Sequence, residues 1–205
     1  MELSTSGRFR VLGRPRAPDE LLLIDAESFD PTYVGTDGYD GALDEAVAGL
    51  EPGYLVDATL SWGDDGTPRF EAIDVLRRTR IRFLDGVTGL FEAARETWMA
   101  AEADGDAMNS RVTRNTDGDP NGVLYVFAAQ PGARDVFGEF ESGVLPIEPL
   151  IERANEGLDD DGDREVFVMR PADEPFVVVY IAFEKDGLLA RTVRETYVSD
   201  GSVDS

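Results

Sequence analysis

Two alternating runs that meet at Asp65-Gly66 constrain this chain more than any other feature of it. In YLVDATLSW (54–62), Val56, Ala58, Leu60 and Trp62 fall on one face and Asp57, Thr59 and Ser61 on the other. That is the period-two pattern of a half-buried strand. GDDGT (63–67) follows, and Asp-Gly supplies the positive φ that a tight hairpin turn needs. The returning run, 68–83, is long, and its apolar phase slips from Phe70 and Ala72 to Ile73 and Val75. A one-residue slip is what a β-bulge produces, and bulges bend strands as small barrels require. Two further runs, GRFRVLG (7–13) and ELLLIDAE (20–27), read as strands, and ALDEAVAGL (42–50) reads as a short helix ending near Pro52-Gly53. The expectation for residues 1–84 is therefore a small β-barrel, OB-like ahead of SH3-like.

The remainder reads differently. Val87, Leu90, Phe91, Ala94, Trp98 and Ala101 recur at helical spacing, as do Ile147, Leu150, Ile151 and Ala154. GVLYVFAA (122–129), REVFVMRP (164–171) and FVVVYIAFEK (176–185) read as strands, and ARDVFGEF (133–140) as one or two helical turns. LLARTVRETY (188–197) reads as a final strand joined by a hairpin at Lys185-Asp186-Gly187, and 104–122 as an acidic loop. The expectation for 85–198 is an α+β domain with a four-stranded sheet covered by helices, with 199–205 a disordered tail. The fold class predicted for the whole chain is α+β.

Composition decides which chemistry is open. The 205 residues contain no histidine and no cysteine. This excludes disulfides, thiolate and imidazole catalysis, Cys/His zinc sites and a Ser-His-Asp triad. Against 42 Asp and Glu stand 19 cations, of which Lys185 alone is lysine, giving a formal net charge of -23. So acidic a chain repels itself in dilute buffer, whereas in molar salt the Debye length shrinks to about 3 Å and screens the repulsion. A halophilic, cytoplasmic origin is the economical expectation. The first twenty residues hold no apolar core of signal-peptide length, and the longest apolar run, FVVVYIAF (176–183), falls short of the ~18 residues that cross a bilayer.

On such a background RRTRIRF (77–83) is conspicuous. Arg78, Arg80 and Arg82 alternate with Ile81 and Phe83, as Arg8 and Arg10 alternate with Phe9 and Val11. If the two strands are neighbours, these five arginines form one basic face able to track a nucleic-acid backbone. The competing reading is cross-strand pairing with Asp25, Glu27, Asp57 or Glu71. Salt bears on the choice. Four phosphate contacts lose affinity with a log–log slope of about 0.9 each, so only bidentate arginine hydrogen bonds survive a saline medium. Asp117, Asp119 and Asn121 in DGDPNG match the first half of a calcium loop, but the twelfth position is Ala128 and not glutamate. Glu165 and Glu184, each beside an apolar run, are the carboxylates an enzyme would use. No phosphate-binding glycine loop, nucleophile elbow or cofactor motif is found, and no catalytic residue is assigned.

The segments GYDGALDEAVAGLEPGYLVDATLSWGDDGTPRF, AMNSRVTRNTDGDPNGVLYVFAAQPG and EVFVMRPADEPFVVVYIAFEKDGLLARTVRETY together resemble a haloarchaeal protein family of uncharacterised function. The resemblance spans nearly the whole chain and implies a two-part architecture, with no activity or cofactor attached. The function expected is a non-catalytic binding protein, associating first with nucleic acid through the arginine face. A protein partner or a second copy docked on the α+β domain is the next expectation, and a carboxylate- or metal-dependent enzyme the third.

Overall fold

The computed structural model describes residues 3–129, 132, 134–160 and 162–198; the tail 199–205 lies outside them. Among the described residues the protein is α+β, with two five-stranded sheets and five helices. It divides into two compact units, one within Met1–Arg80 and Glu139–Leu150, the other within Ile81–Gly138 and Ile151–Ser205. Residues 139–150, which the sequence places in the second domain, thus cluster with the first unit.

The first unit is built on β1 (Leu3–Gly13), β2 (Glu20–Asp25), β3 (Pro31–Gly35), β4 (Leu55–Trp62) and β5 (Pro68–Arg77), with α1 (Gly41–Ala48) between β3 and β4. The strands are antiparallel in the order β3-β2-β1-β4-β5. A phase slip is present, but it falls between Phe70 and Ala72 and not after Ala72. Leu60 faces Phe70 and Thr59 faces Ala72, which leaves Glu71 as the extra residue of a bulge; a second bulge at Leu76 separates Val75 from Arg77. Bending by two bulges does not close the sheet, so the barrel expectation is corrected. The ends β3 and β5 are bridged by a side chain. The Tyr39 hydroxyl donates to the Gly35 carbonyl at 2.7 Å and accepts the Phe70 amide at 2.9 Å. The Arg69 guanidinium covers the same ring at 4.5 Å and donates to the Asp37 and Gly38 carbonyls.

The sheet buries both faces where β1 and β2 cross it. Phe9, Val11, Leu21, Leu23, Val56 and Leu60 pack with Val47 of α1 on one side. Each such side chain contributes about 1.5–3 kcal/mol. On the other side Leu12, Leu22 and Ile24 are also buried. Here the segment 139–150 lies so close that a β-carbon added to Gly143 would sit 2.3 Å from Ile24 Cδ1. Burial on both faces is why ELLLID reads as an unbroken apolar run.

The second unit carries the sheet β6-β9-β10-β8-β7, formed by β6 (Arg80–Val87), β7 (Met108–Arg114), β8 (Pro120–Ala128), β9 (Glu165–Pro171) and β10 (Phe176–Ala182). Every residue of the central β10 is buried. On one face Leu124, Phe167, Val178 and Tyr180 pack against α2 (Glu92–Asp104) and α5 (Leu188–Tyr197). Helices α3 (Val136–Glu141) and α4 (Glu148–Asn155) frame the segment that belongs to the first unit.

Three expectations change here. The sheet has five strands, not four: the expected strand over 188–197 is absent, β7 forms inside the supposed acidic loop, and β6, expected in the barrel, joins at the other edge. The run 68–83 is two strands in different sheets, interrupted at Arg78 and Thr79. An interruption of two residues keeps the period-two parity and leaves no mark in the sequence. The last element is a helix. Ala190 and Val193 are buried with Leu189 and Tyr197 packed beside them, a helical spacing, and a strand would have put Arg191 on the face of Leu189 and Val193.

Candidate functional site

The five candidate arginines occupy different settings. The neighbours of β1 are β2 and β4, so the adjacency on which a single basic face depends is not formed. Arg8 reaches Glu27, one of the acids expected opposite it, at 3.3 Å on the surface; such pairs are worth about 0.2–1 kcal/mol. Arg10 is 4% exposed. Its Nε and Nη2 donate to the two oxygens of Glu148 at 2.7 Å each, and Nη1 donates to the Gly53 carbonyl at 2.9 Å. The guanidinium of Arg78 lies over the Tyr54 ring at 5.4 Å. Arg80 opens β6, and Arg82, in the second unit, donates to Glu165 at 3.2 Å.

Glu165 is the first residue of β9 and is fully buried. Besides Arg82 it accepts from Arg194 of α5 at 3.0 Å, and Arg194 also donates to Asp186 at 2.6 Å. The Asp186 hydrogen bond, with the Glu165 charge beside it, raises the arginine's pKa despite partial burial. Two guanidinium groups thus meet one buried carboxylate, an arrangement that holds β6, β9 and α5 together within this unit. Glu184 lies elsewhere, on the rim of a surface recess of about 520 Å³ with Asp160, Asp163 and Lys185. Beneath it Arg164, buried, donates to Asn155, to the Phe183 carbonyl and to Asp160. Glu148 carries no local sequence signal, because its partner lies on another element, and of the Arg164 partners named only Asp160 is close in sequence.

Asp117 and Asp119 lie on the turn of the β7–β8 hairpin, and their amides both donate to Asn115 Oδ1 at 3.0 and 2.9 Å. Gly118 adopts φ +89° there, and the Asn121 side chain accepts from the Thr113 hydroxyl at 2.9 Å. Among the described residues no group of three or more acidic side chains is placed to hold a metal ion.

The hairpin brings a different feature to the surface. Strand β7 is the edge of its sheet. Asn109 and Arg111 turn toward α2, where Asn109 Nδ2 donates to the Thr97 carbonyl at 3.1 Å and Arg111 pairs with Glu96 at 2.6 Å. Met108 and Val112, on the opposite face, are 44% and 50% exposed. The Ala128 amide bonds the Ala107 carbonyl at 2.8 Å, which sets the phase of the ladder. With the register Met108↔Phe127 to Thr113↔Gly122, residues 109, 111 and 113 then bond β8, and the backbone of 108, 110 and 112 faces away from the sheet. Strand β7 contains no acid and two arginines. Sequence reasoning missed it because Asn, Ser and Thr dilute its apolar alternation.

A family model described as "Family of unknown function (DUF6663)" matches residues 1–202. The chain belongs to this family. No curated protein and no solved structure matches it. Within this DUF6663 chain no helix among the described residues is long and apolar enough to cross a membrane.

Proposed function

We propose that this DUF6663 protein is a non-catalytic binding module that engages another polypeptide by strand addition along β7. One observation carries the reading: a seven-residue edge strand, free of acids in a strongly acidic chain, presents outward backbone groups between the exposed Met108 and Val112. Strand addition draws affinity from main-chain hydrogen bonds and specificity from alternate side chains. Sheet edges of this kind are normally blunted by charge, proline or a covering element. Nucleic-acid association through the arginines has less support, since Arg10 and Arg82 are committed to buried carboxylates.

Val112→Pro tests the reading. It removes an outward N–H while keeping every bond of the β7–β8 ladder, and an edge strand accommodates proline there. Partner binding that is lost in this variant, with circular dichroism unchanged, is the expected result; equal binding by both proteins refutes it. In parallel, anisotropy of labelled single-stranded RNA and DNA is expected to show no binding from about 0.5 to about 3 M potassium chloride. Binding that persists at the upper end returns the function to the arginines.

A further inference from the structure

We infer, building on the strand-addition reading, that the polypeptide received by β7 is the β7 of a second copy, paired antiparallel about a twofold axis at Ser110. The outward residues are 108, 110 and 112, so the twofold pairing must match even-numbered residues to even-numbered residues. Three registers are close enough to consider. Centring on Arg111 sets that arginine against itself. Centring on Asn109 sets Val112 against Asp106 of the other copy. Centring on Ser110 sets Met108 against Val112, Asn109 against Arg111 and Arg114 against Asp106, each twice. Only this last register both joins Met108 to Val112 and gives Arg114 an anion, with Arg111 opposite the neutral Asn109, which is the self-complementarity a closed twofold interface demands.

The charges support a second copy over an unrelated strand. From residue 107 to residue 116 the chain has no acid, and Asp106, which flanks that stretch on its N-terminal side, falls where Arg114 of the copy would meet it. The absence of acids lowers the repulsion that two chains of net charge -23 otherwise feel on contact. One outward donor is already engaged: Asn109 Oδ1 accepts the Ser110 amide at 2.8 Å. Pairing exchanges that local bond for the Ser110 carbonyl of the copy, so the donor stays satisfied in both states.

The test is sedimentation equilibrium in about 2 M potassium chloride, where the Debye length is a few ångströms and net repulsion is screened. Wild type is expected to dimerise. Arg114→Asp and Asp106→Arg each replace two attractive pairs by two repulsive ones and are expected to weaken the dimer about ten- to thirty-fold. Both positions lie at the surface, and circular dichroism checks that losing the 2.8 Å bond from Arg114 Nη1 to the Gly118 carbonyl leaves the fold intact. Mixed in equal amounts, the two variants regain complementarity at both contacts and are expected to form a heterodimer of wild-type affinity, as is the double variant with itself. A dimer indifferent to both swaps overturns the register and the interface. A wild-type monomer at every concentration overturns the second copy. A Val112→Pro-sensitive complex with a different protein would then leave strand addition itself standing.

Discussion

Removing the carboxylate of Glu148 should cost the first unit about 3–5 kcal/mol, the range for breaking one half of a buried ion pair. The figure follows from the geometry. Arg10 and Glu148 have side chains 4% and 5% exposed and share two hydrogen bonds of 2.7 Å. In Glu148→Ala the guanidinium keeps the Gly53 carbonyl and loses both carboxylate oxygens. The melting temperature should fall by roughly 6–20 °C at ~2–4 °C per kcal/mol for a chain of this size. Exchanging both residues together, Arg10→Met with Glu148→Leu, should return most of that loss, because a well-packed apolar pair removes the desolvation penalty along with the charge. The two units need not unfold together, so the assay must report the first one alone. Trp62 packs against the first core and Trp98 belongs to the second, so denaturant titrations followed by Trp62 fluorescence in a Trp98→Phe background serve. The cost should change little between about 0.15 and about 3 M salt, since buried pairs are poorly screened. A loss below about 1 kcal/mol, or one that disappears in salt, would show that water reaches the guanidinium and would refute the reasoning.

Three further outcomes are expected. Tyr39→Phe should cost about 1–3 kcal/mol by leaving the Gly35 carbonyl and the Phe70 amide without their bridge, and hydrogen exchange at Phe70 should accelerate. Gly143→Ala should cost about 2–4 kcal/mol, because the residue sits at φ +75° and its new methyl group would press on Ile24; Gly118→Ala, at φ +89° in open space, should cost only about 1 kcal/mol by the same denaturation assay. Acid should destabilise both units. The hydrogen bond and charge of Arg170 hold Asp85 below the ordinary carboxylate value of 3.8. At Asp25, burial pushes the carboxyl up, but the amides of Ser28 and Glu27 and the Ser28 hydroxyl outweigh it and hold it low as well. A depressed folded pKa gives stability that is complete above the unfolded value and is lost as pH falls through the folded one. Denaturation midpoints should therefore be flat above about pH 5 and decline below about pH 4, and Arg170→Ala should return the Asp85 titration, followed by NMR, toward 3.8.

How much was legible depends on the range over which each signal acts. The hairpin at Asp65-Gly66, the bulge beyond Phe70 and the runs that became β1, β2, β4, β8, β9 and β10 were all readable, because alternation and turn chemistry are local. The α5 helix was readable in principle, because Leu189, Ala190, Val193 and Tyr197 recur at helical spacing. Strand β7 was obscured by polar residues that edge positions tolerate and central ones do not. The candidate arginines were visible as residues, but what each one touches was not.

Residue order alone was enough to set the α+β class, the chemistry that the absence of histidine and cysteine excludes, and the faces that most strands bury. These follow from side-chain identity and short-range spacing. Long-range packing was needed to divide residues 68–83 between two sheets, to leave the first sheet open with Tyr39 spanning its ends, and to bring Glu148, far along the chain, to Arg10 in its buried site. It also decided which strand would lie at an edge. Pairing between distant segments is set by the burial and charge balance of the whole unit, and no window of neighbouring residues contains that information.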